Sequence, residues 1–147
     1  MELPASARKR SIVTDALGLL LAVVVCAASI SENNAKIRDI NQAKAVHPKI
    51  TKAWVDTGFK NKFVEHAATL GINAEVVHRN PEVRGFHVLK RRWVVERTIG
   101  WLMLHRRLAR DYETLTASSE AMIHLAMIDN VSKRITGETT PTWRGTY

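Results

Sequence analysis

Residues 50–78 read ITKAWVDTGFKNKFVEHAATLGINAEVVH. Ile50 to Asp56 predicts a strand, Asn61 to Leu70 a helix closed by Gly71, and Asn73 to His78 a second strand. A strand, a short helix and a strand in that order make a βαβ crossover, and the chain is therefore read as α/β. In such units the loops leaving the carboxyl ends of parallel strands build the functional site. Asp56 stands at that end, directly before Thr57-Gly58, where a turn exposes its side chain.

Upstream, Ser11 to Asp15 and Leu19 to Ala27 are apolar runs joined by Ala16-Leu17-Gly18, which predicts a β-hairpin bending at Asp15. Ser31 to Val46 spaces Ala35, Ile37, Ile40 and Ala43 at helical intervals, and Pro48 stops that helix. The run Ala16–Ile30, preceded by Arg8, Lys9 and Arg10, imitates a signal peptide, and CAAS imitates a lipoprotein cleavage site. It is short for a membrane span, which needs about 20 residues, and its β-branching predicts a buried strand instead.

Downstream, Asn80 to Gly85 is a loop and Phe86 to Leu89 a short extended piece. A long helix then runs from Arg91 or Arg92 to about Arg110, with Arg92, Glu96, Gly100, Met103 and Arg107 on one face. Val94, Val95, Ile99, Trp101 and Leu102 fall toward another. Thr116, Ser118 and Ser119 start a last helix with Met122, Ile123, Ala126 and Met127 as its apolar stripe. One domain over residues 1–135 is expected, with 136–147 as a flexible tail.

The 147 residues carry a formal charge of +8, and 46% of them are hydrophobic, an ordinary globular composition with a preference for polyanionic partners. The single cysteine, Cys26, excludes an internal disulfide and fits a reducing, cytoplasmic setting. Charge is concentrated in VLKRRWVVERTIGWLMLHRRLARDYE, residues 88–113. From Arg84 to Arg110 there are eight Lys or Arg and one carboxylate, Glu96. A helical ion pair with Arg92 contributes only about 0.3–0.5 kcal/mol, which does not explain a lone acid in so cationic a setting. A carboxylate that holds a metal ion beside a polyanion does.

VDTGF at 55–59, followed after about 40 residues by RRWVVERTIGWLMLHRRLARDYE, resembles the C-terminal catalytic part of bacterial insertion-sequence DDE transposases. The likeness extends from the RKRSIVTDALGLLLAVVVCAASISE segment to about Ile135. It implies a ribonuclease H-like mixed sheet flanked by helices. It also implies three carboxylates that bind Mg²⁺ or Mn²⁺ and cut and join DNA, with two metals about 4 Å apart acting on the attacking and leaving oxygens. Asp56 matches the second aspartate and Glu96 the glutamate, as catalytic and metal-binding residues. Asp15 maps to the hairpin after the family's first catalytic strand, where Asp is favoured by the turn itself. The first aspartate, its strand and the DNA-binding helices are therefore expected to be absent, as in an N-terminally truncated form. The family's Tyr, Arg, Glu and Lys signature stands here as Leu89, Arg92, Glu96 and Met103, so only its Arg and Glu are matched.

The resemblance implies transposition at insertion-sequence ends, with terminal inverted repeats and target DNA as partners and no membrane. Arg91, Arg92, Arg106 and Arg107 are the expected phosphate contacts. Alternative readings are a non-catalytic basic DNA-binding fragment, or a second-frame product fused to, competing with or assembled on full-length transposase. A homo-oligomer is a further expected assembly.

Overall fold

A hairpin buried on both faces organises the N-terminal half of the chain. The computed structural model describes residues 8–58, 61–78 and 91–138. Strand β1 (Arg8–Thr14) pairs antiparallel with β2 (Leu20–Ala27), with Arg8 opposite Ala27 and an irregularity at Val13/Thr14. Residues Ala22 to Cys26 are buried without interruption. Val23 and Val25 join Ile12, Leu102, Leu108, Ile123, Ala126 and Met127 in one cluster, while Val24 and Cys26 meet Ala35 on the other face. A strand covered on both sides has no use for alternation, which accounts for the signal-like run LLLAVVV.

The bend is made by Asp15. Its Oδ1 accepts the backbone N–H groups of Leu17 and Leu19 at 2.9 and 2.8 Å, and Gly18 follows with φ of +84°. A Cβ on Gly18 would lie 2.7 Å from Thr98 Oγ1, so both the backbone sign and the close packing require glycine.

Helix α1 (Glu32–Val46) starts at Ser31, whose hydroxyl accepts from Asn34 N, and covers the Val24–Cys26 side. Strand β3 (Lys52–Asp56), helix α2 (Asn61–Thr69) and strand β4 (Asn73–Val77) form the expected crossover, with β3 and β4 parallel and Asp56 opposite Val77. Gly71, at φ of +71°, turns the chain out of α2. Phe63, Ala67 and Ile72 pack with Ile40 of α1, which docks this unit beside the hairpin.

One mixed sheet was expected, but the described strands form two separate two-stranded ladders, β1–β2 and β3–β4. Among the described residues no strand joins them. Helices span the division instead: α1 lies against β1, β2 and α2, and α3 (Arg92–Met103) lies against β1 and β3.

The long helix expected to reach Arg110 is broken. After α3 the chain turns at Leu104 and His105, then forms the single turn α4 (Arg106–Ala109). Leu104 N and His105 N bond three residues back, to Trp101 O and Leu102 O, as at a tightening helix end. Leu102 and Leu108 are both buried in the main cluster. Six residues apart on an unbroken helix they would diverge by about 120°, and the break turns both inward. The buried stripe of α3 is Val94, Thr98 and Leu102, while Ile99, assigned to the same face as Val94 and Leu102, is 47% exposed. Thr98 is satisfied there, because its hydroxyl donates to Gly18 O at 2.8 Å or Val94 O at 3.0 Å.

Helix α5 (Thr116–Thr136) buries Ser119, Ile123, Ala126 and Met127 and ends at Gly137, with Met122 packed at the cluster edge. Arg8 ties its approach to β1: its guanidinium donates to Glu113 O at 2.7 Å and to Thr114 O, and pairs with Asp111 at 3.3 Å. Burial favours the neutral acid at Asp111, but Ser119, the Glu113 amide, Arg8 and Arg10 together hold its pKa below the ordinary value. None of the described helices is long and apolar enough to cross a membrane. The loop 80–85, the extended piece 86–89 and most of the expected tail lie outside the described residues.

Candidate active site

Asp56 closes β3, and strand alternation decides what it meets. Ala53 and Val55 pack into the cluster with Phe63 and Ile72, so Lys52, Trp54 and Asp56 share the opposite face. The start of α3 lies over that face. The Arg91 guanidinium stacks 3.6 Å from the Trp54 ring centroid, at a distance where the cation and the ring quadrupole attract. Arg91 also has φ of +74° in the left-handed region, uncommon for a residue with a side chain. Lys52 pairs with Glu75 at 2.7 Å, and its hydrogen bond and charge lower the Glu75 pKa.

Arg92 is the link between the two candidate carboxylates. Its Nη1 lies 3.5 Å from Asp56 Oδ2, and its Nε donates to Glu96 Oε1 at 3.1 Å. Asp56 Oδ1 accepts from Thr57 N at 2.7 Å and Thr57 Oγ1 at 3.3 Å. Glu96, one helical turn after Arg92, is largely exposed, and Gly100 follows on the same face with open space where a Cβ would stand. Behind Asp56, burial pushes the Lys36 ammonium below its ordinary pKa, against the charges of Asp39, Glu32 and Asp56. Asp56 thus feels cations from α1 and α3.

Asp39, on α1, is fully buried. Burial raises its carboxyl to about 6, with Glu120 adding to the rise and Ser11 and Lys36 opposing it. Neither carboxylate oxygen has a hydrogen-bonding partner in good geometry, and the neighbouring Ser11 Oγ is likewise unsatisfied.

Among the described residues no group of three or more His, Cys, Asp or Glu side chains is placed to hold a metal ion. Asp56 and Glu96 offer hard oxygen donors that suit Mg²⁺ or Mn²⁺. Both are engaged by Arg92, which would have to move aside for such an ion. Asp15 is separate, its Oδ1 committed to the hairpin bend.

The four arginines expected to meet phosphate are divided. Arg91 and Arg92 stand at Asp56, while Arg106 and Arg107 lie beyond the break on α4, where Arg107 pairs with Glu113 at 2.8 Å. Lys36, Trp54 and Arg97 carry no functional signal in the motifs of the sequence, yet all three make contacts at or beside this face. Outside those motifs Trp54 had a usable signal, because it sits two residues before Asp56 on the same strand face.

A family model described as a transposase DDE domain matches residues 53–131, just over half of the chain. Asp56 and Glu96 both fall in that span, and the β1–β2 hairpin lies outside it. No curated protein and no solved structure matches the chain.

Proposed function

The chain belongs to the transposase DDE domain family, and from that membership we propose that it acts in DNA transposition, with Asp56 and Glu96 as two of the three carboxylates of a metal-binding triad. The observation that carries this reading is the Arg92 fork. Two acids 40 positions apart in the chain, on a strand end and on a helix, are held by one guanidinium. Asp56 and Glu96 would hold the divalent ion through carboxylate oxygens. When bound, that ion supplies the positive charge that activates a water or 3′-hydroxyl and stabilises a leaving 3′-oxygen.

The chain's own residues prepare that site. Thr57 fixes Asp56 Oδ1 by two hydrogen bonds, leaving Oδ2 to its cationic partner. Arg92 pairs with both acids in the absence of metal, offsetting one of their two charges, and, once displaced, is placed to meet a DNA phosphate. Arg91 is held against Trp54 at the entrance of α3.

We place the hairpin and the crossover in a ribonuclease H-like sheet whose first-aspartate strand would complete the triad. In this reading that strand would join the two ladders, which are separate among the described residues. In this reading the chain alone binds DNA without cutting it and depends on a third carboxylate from elsewhere, in the cytoplasm where its DNA lies. Asp15, whose Oδ1 is held by the hairpin bend, is not that third carboxylate in this reading.

Mn²⁺ titration followed by electron paramagnetic resonance, together with a nicking assay on supercoiled plasmid, tests both parts. Weak Mn²⁺ binding that disappears in Asp56→Ala and Glu96→Ala is expected, with no nicking. Mn²⁺ binding unchanged in both variants would remove the metal site. Mg²⁺-dependent nicking lost in both would show a complete catalyst instead.

A further inference from the structure

Along α3, on the flank centred about 100° round the helix from Glu96, the side chains of Trp93, Arg97 and Trp101 follow one another at helical-turn spacing. The Arg97 guanidinium lies 4.3 Å from the Trp93 ring centroid and 4.7 Å from that of Trp101. Arg134, from the last turns of α5, lies 4.2 Å from the same Trp101 ring. Two guanidiniums are therefore packed on one indole, at most about 9 Å apart. Neither has an ion-pair partner among the described residues, although Arg8, Arg92 and Arg107 each do.

The position of this pair is built rather than incidental. Arg97 Nη2 donates to Leu17 O at 2.9 Å in the hairpin bend, and Gly18 beside it admits Thr98 at a distance that a Cβ would forbid, with Trp101 and Arg97 themselves 3.1 and 3.3 Å from where that Cβ would stand. Trp101 is half-buried and its ring is engaged by cations, so it orients them and is not a platform for a base. Cations lose conformational freedom when stacked in this way, and two without ion-pair partners within about 9 Å of each other repel. An anion spanning both relieves the repulsion and finds its donors already oriented.

We propose that Arg97, Trp101 and Arg134 form a phosphate clamp for the backbone of double-stranded DNA, distinct from the Asp56–Glu96 site. The choice of DNA as the occupant rests on the transposition reading above. The clamp contacts backbone and not base edges, so it strengthens binding to every sequence alike.

The test is DNA affinity of the full chain as a function of salt, using a random duplex, for wild type, Arg134→Gln, Arg134→Lys and Arg38→Gln. Arg38 is an exposed cation on α1, which covers the opposite face of the hairpin from α5. Arg134→Gln should weaken binding several-fold and lower the slope of log K against log salt by about 0.9. Arg134→Lys should recover most of that slope but only part of the affinity, since lysine keeps charge without the planar stack. Arg38→Gln should change the slope little. An unchanged slope in Arg134→Gln, with wild type binding normally, would overturn the clamp alone. An equal loss in Arg38→Gln would also overturn it, by showing that only net charge matters. Failure of wild type to bind at low salt would overturn the DNA reading as well as the clamp.

Discussion

Arg92 reaches Asp56 across the gap between α3 and β3, Nη1 to Oδ2 at 3.5 Å, while its Nε is engaged by Glu96. Both ion pairs are well exposed, and pairs of that kind contribute at most about 1 kcal/mol. Arg92→Ala should therefore leave the denaturation midpoint almost unchanged. It should also raise Mn²⁺ affinity several-fold, because a competing cation is removed from two carboxylates. Calorimetric titration checks this; unchanged or weaker Mn²⁺ binding would mean that Arg92 does not compete for the site.

Gly18→Ala meets two obstacles, a φ of +84° and a Cβ 2.7 Å from Thr98 Oγ1. Left-handed backbone and forced repacking each cost about 1–3 kcal/mol. A loss of at least about 2 kcal/mol is expected in urea denaturation. A smaller loss would show that the hairpin bend can shift away from α3.

Asp39 makes stability depend on pH in a direction opposite to a salt-bridged acid. Its carboxyl, raised from 3.8 to about 6, holds its proton in the folded chain where the unfolded chain has lost it. Stability should fall as pH rises from about 4 to 6 and stay lowered above that, by an amount on the order of 3 kcal/mol at most. Asp39→Asn should flatten this segment and be the more stable form at pH 7.5, less whatever Lys36 loses as a partner. An Asn variant that is less stable at pH 7.5 would show that the ionised carboxylate is compensated.

Gly100→Ala places a methyl group in open space on the Glu96 face. Replacing glycine inside a helix should add about 0.5–1 kcal/mol, raising the melting temperature by about 2–4 °C. If DNA approaches along this face, the same variant should bind duplex several-fold more weakly. Unchanged affinity would place the DNA elsewhere.

The features legible in sequence were those with local causes. Asp15 and Gly18 announced a bend, Ser31 a helix start, and Gly71 the end of α2, each through short-range geometry. Asp56 and Glu96 were singled out by position and by charge contrast, and the structure links both to Arg92. The break at Leu104–His105 was hidden because Leu102 and Leu108 both need burial, and only the packing against α5 shows that one straight helix cannot bury both. Thr98 was hidden because a buried hydroxyl depends on Gly18 O, 80 residues away in sequence. The separation into two ladders was equally invisible, since strand pairing between distant segments leaves no periodicity. Part of the segment that carried the family resemblance proves architectural: in RDYE, residues 110–113, Asp111 and the Glu113 carbonyl anchor Arg8 of β1.

The unbroken burial of Ala22 to Cys26 has a consequence for how the molecule comes apart. A strand with one wet face can loosen from that side while its other face stays packed, but β2 must lose α1 and α5 together before both rows of its side chains meet water. Local opening that frees α2 or the end of α5 leaves it protected. In hydrogen exchange, the amide of Val24, on the edge turned toward β1, should therefore be among the last to exchange, while that of Val25, held on the other edge by Glu120 Oε1 at 2.8 Å, should exchange once the start of α5 lifts away.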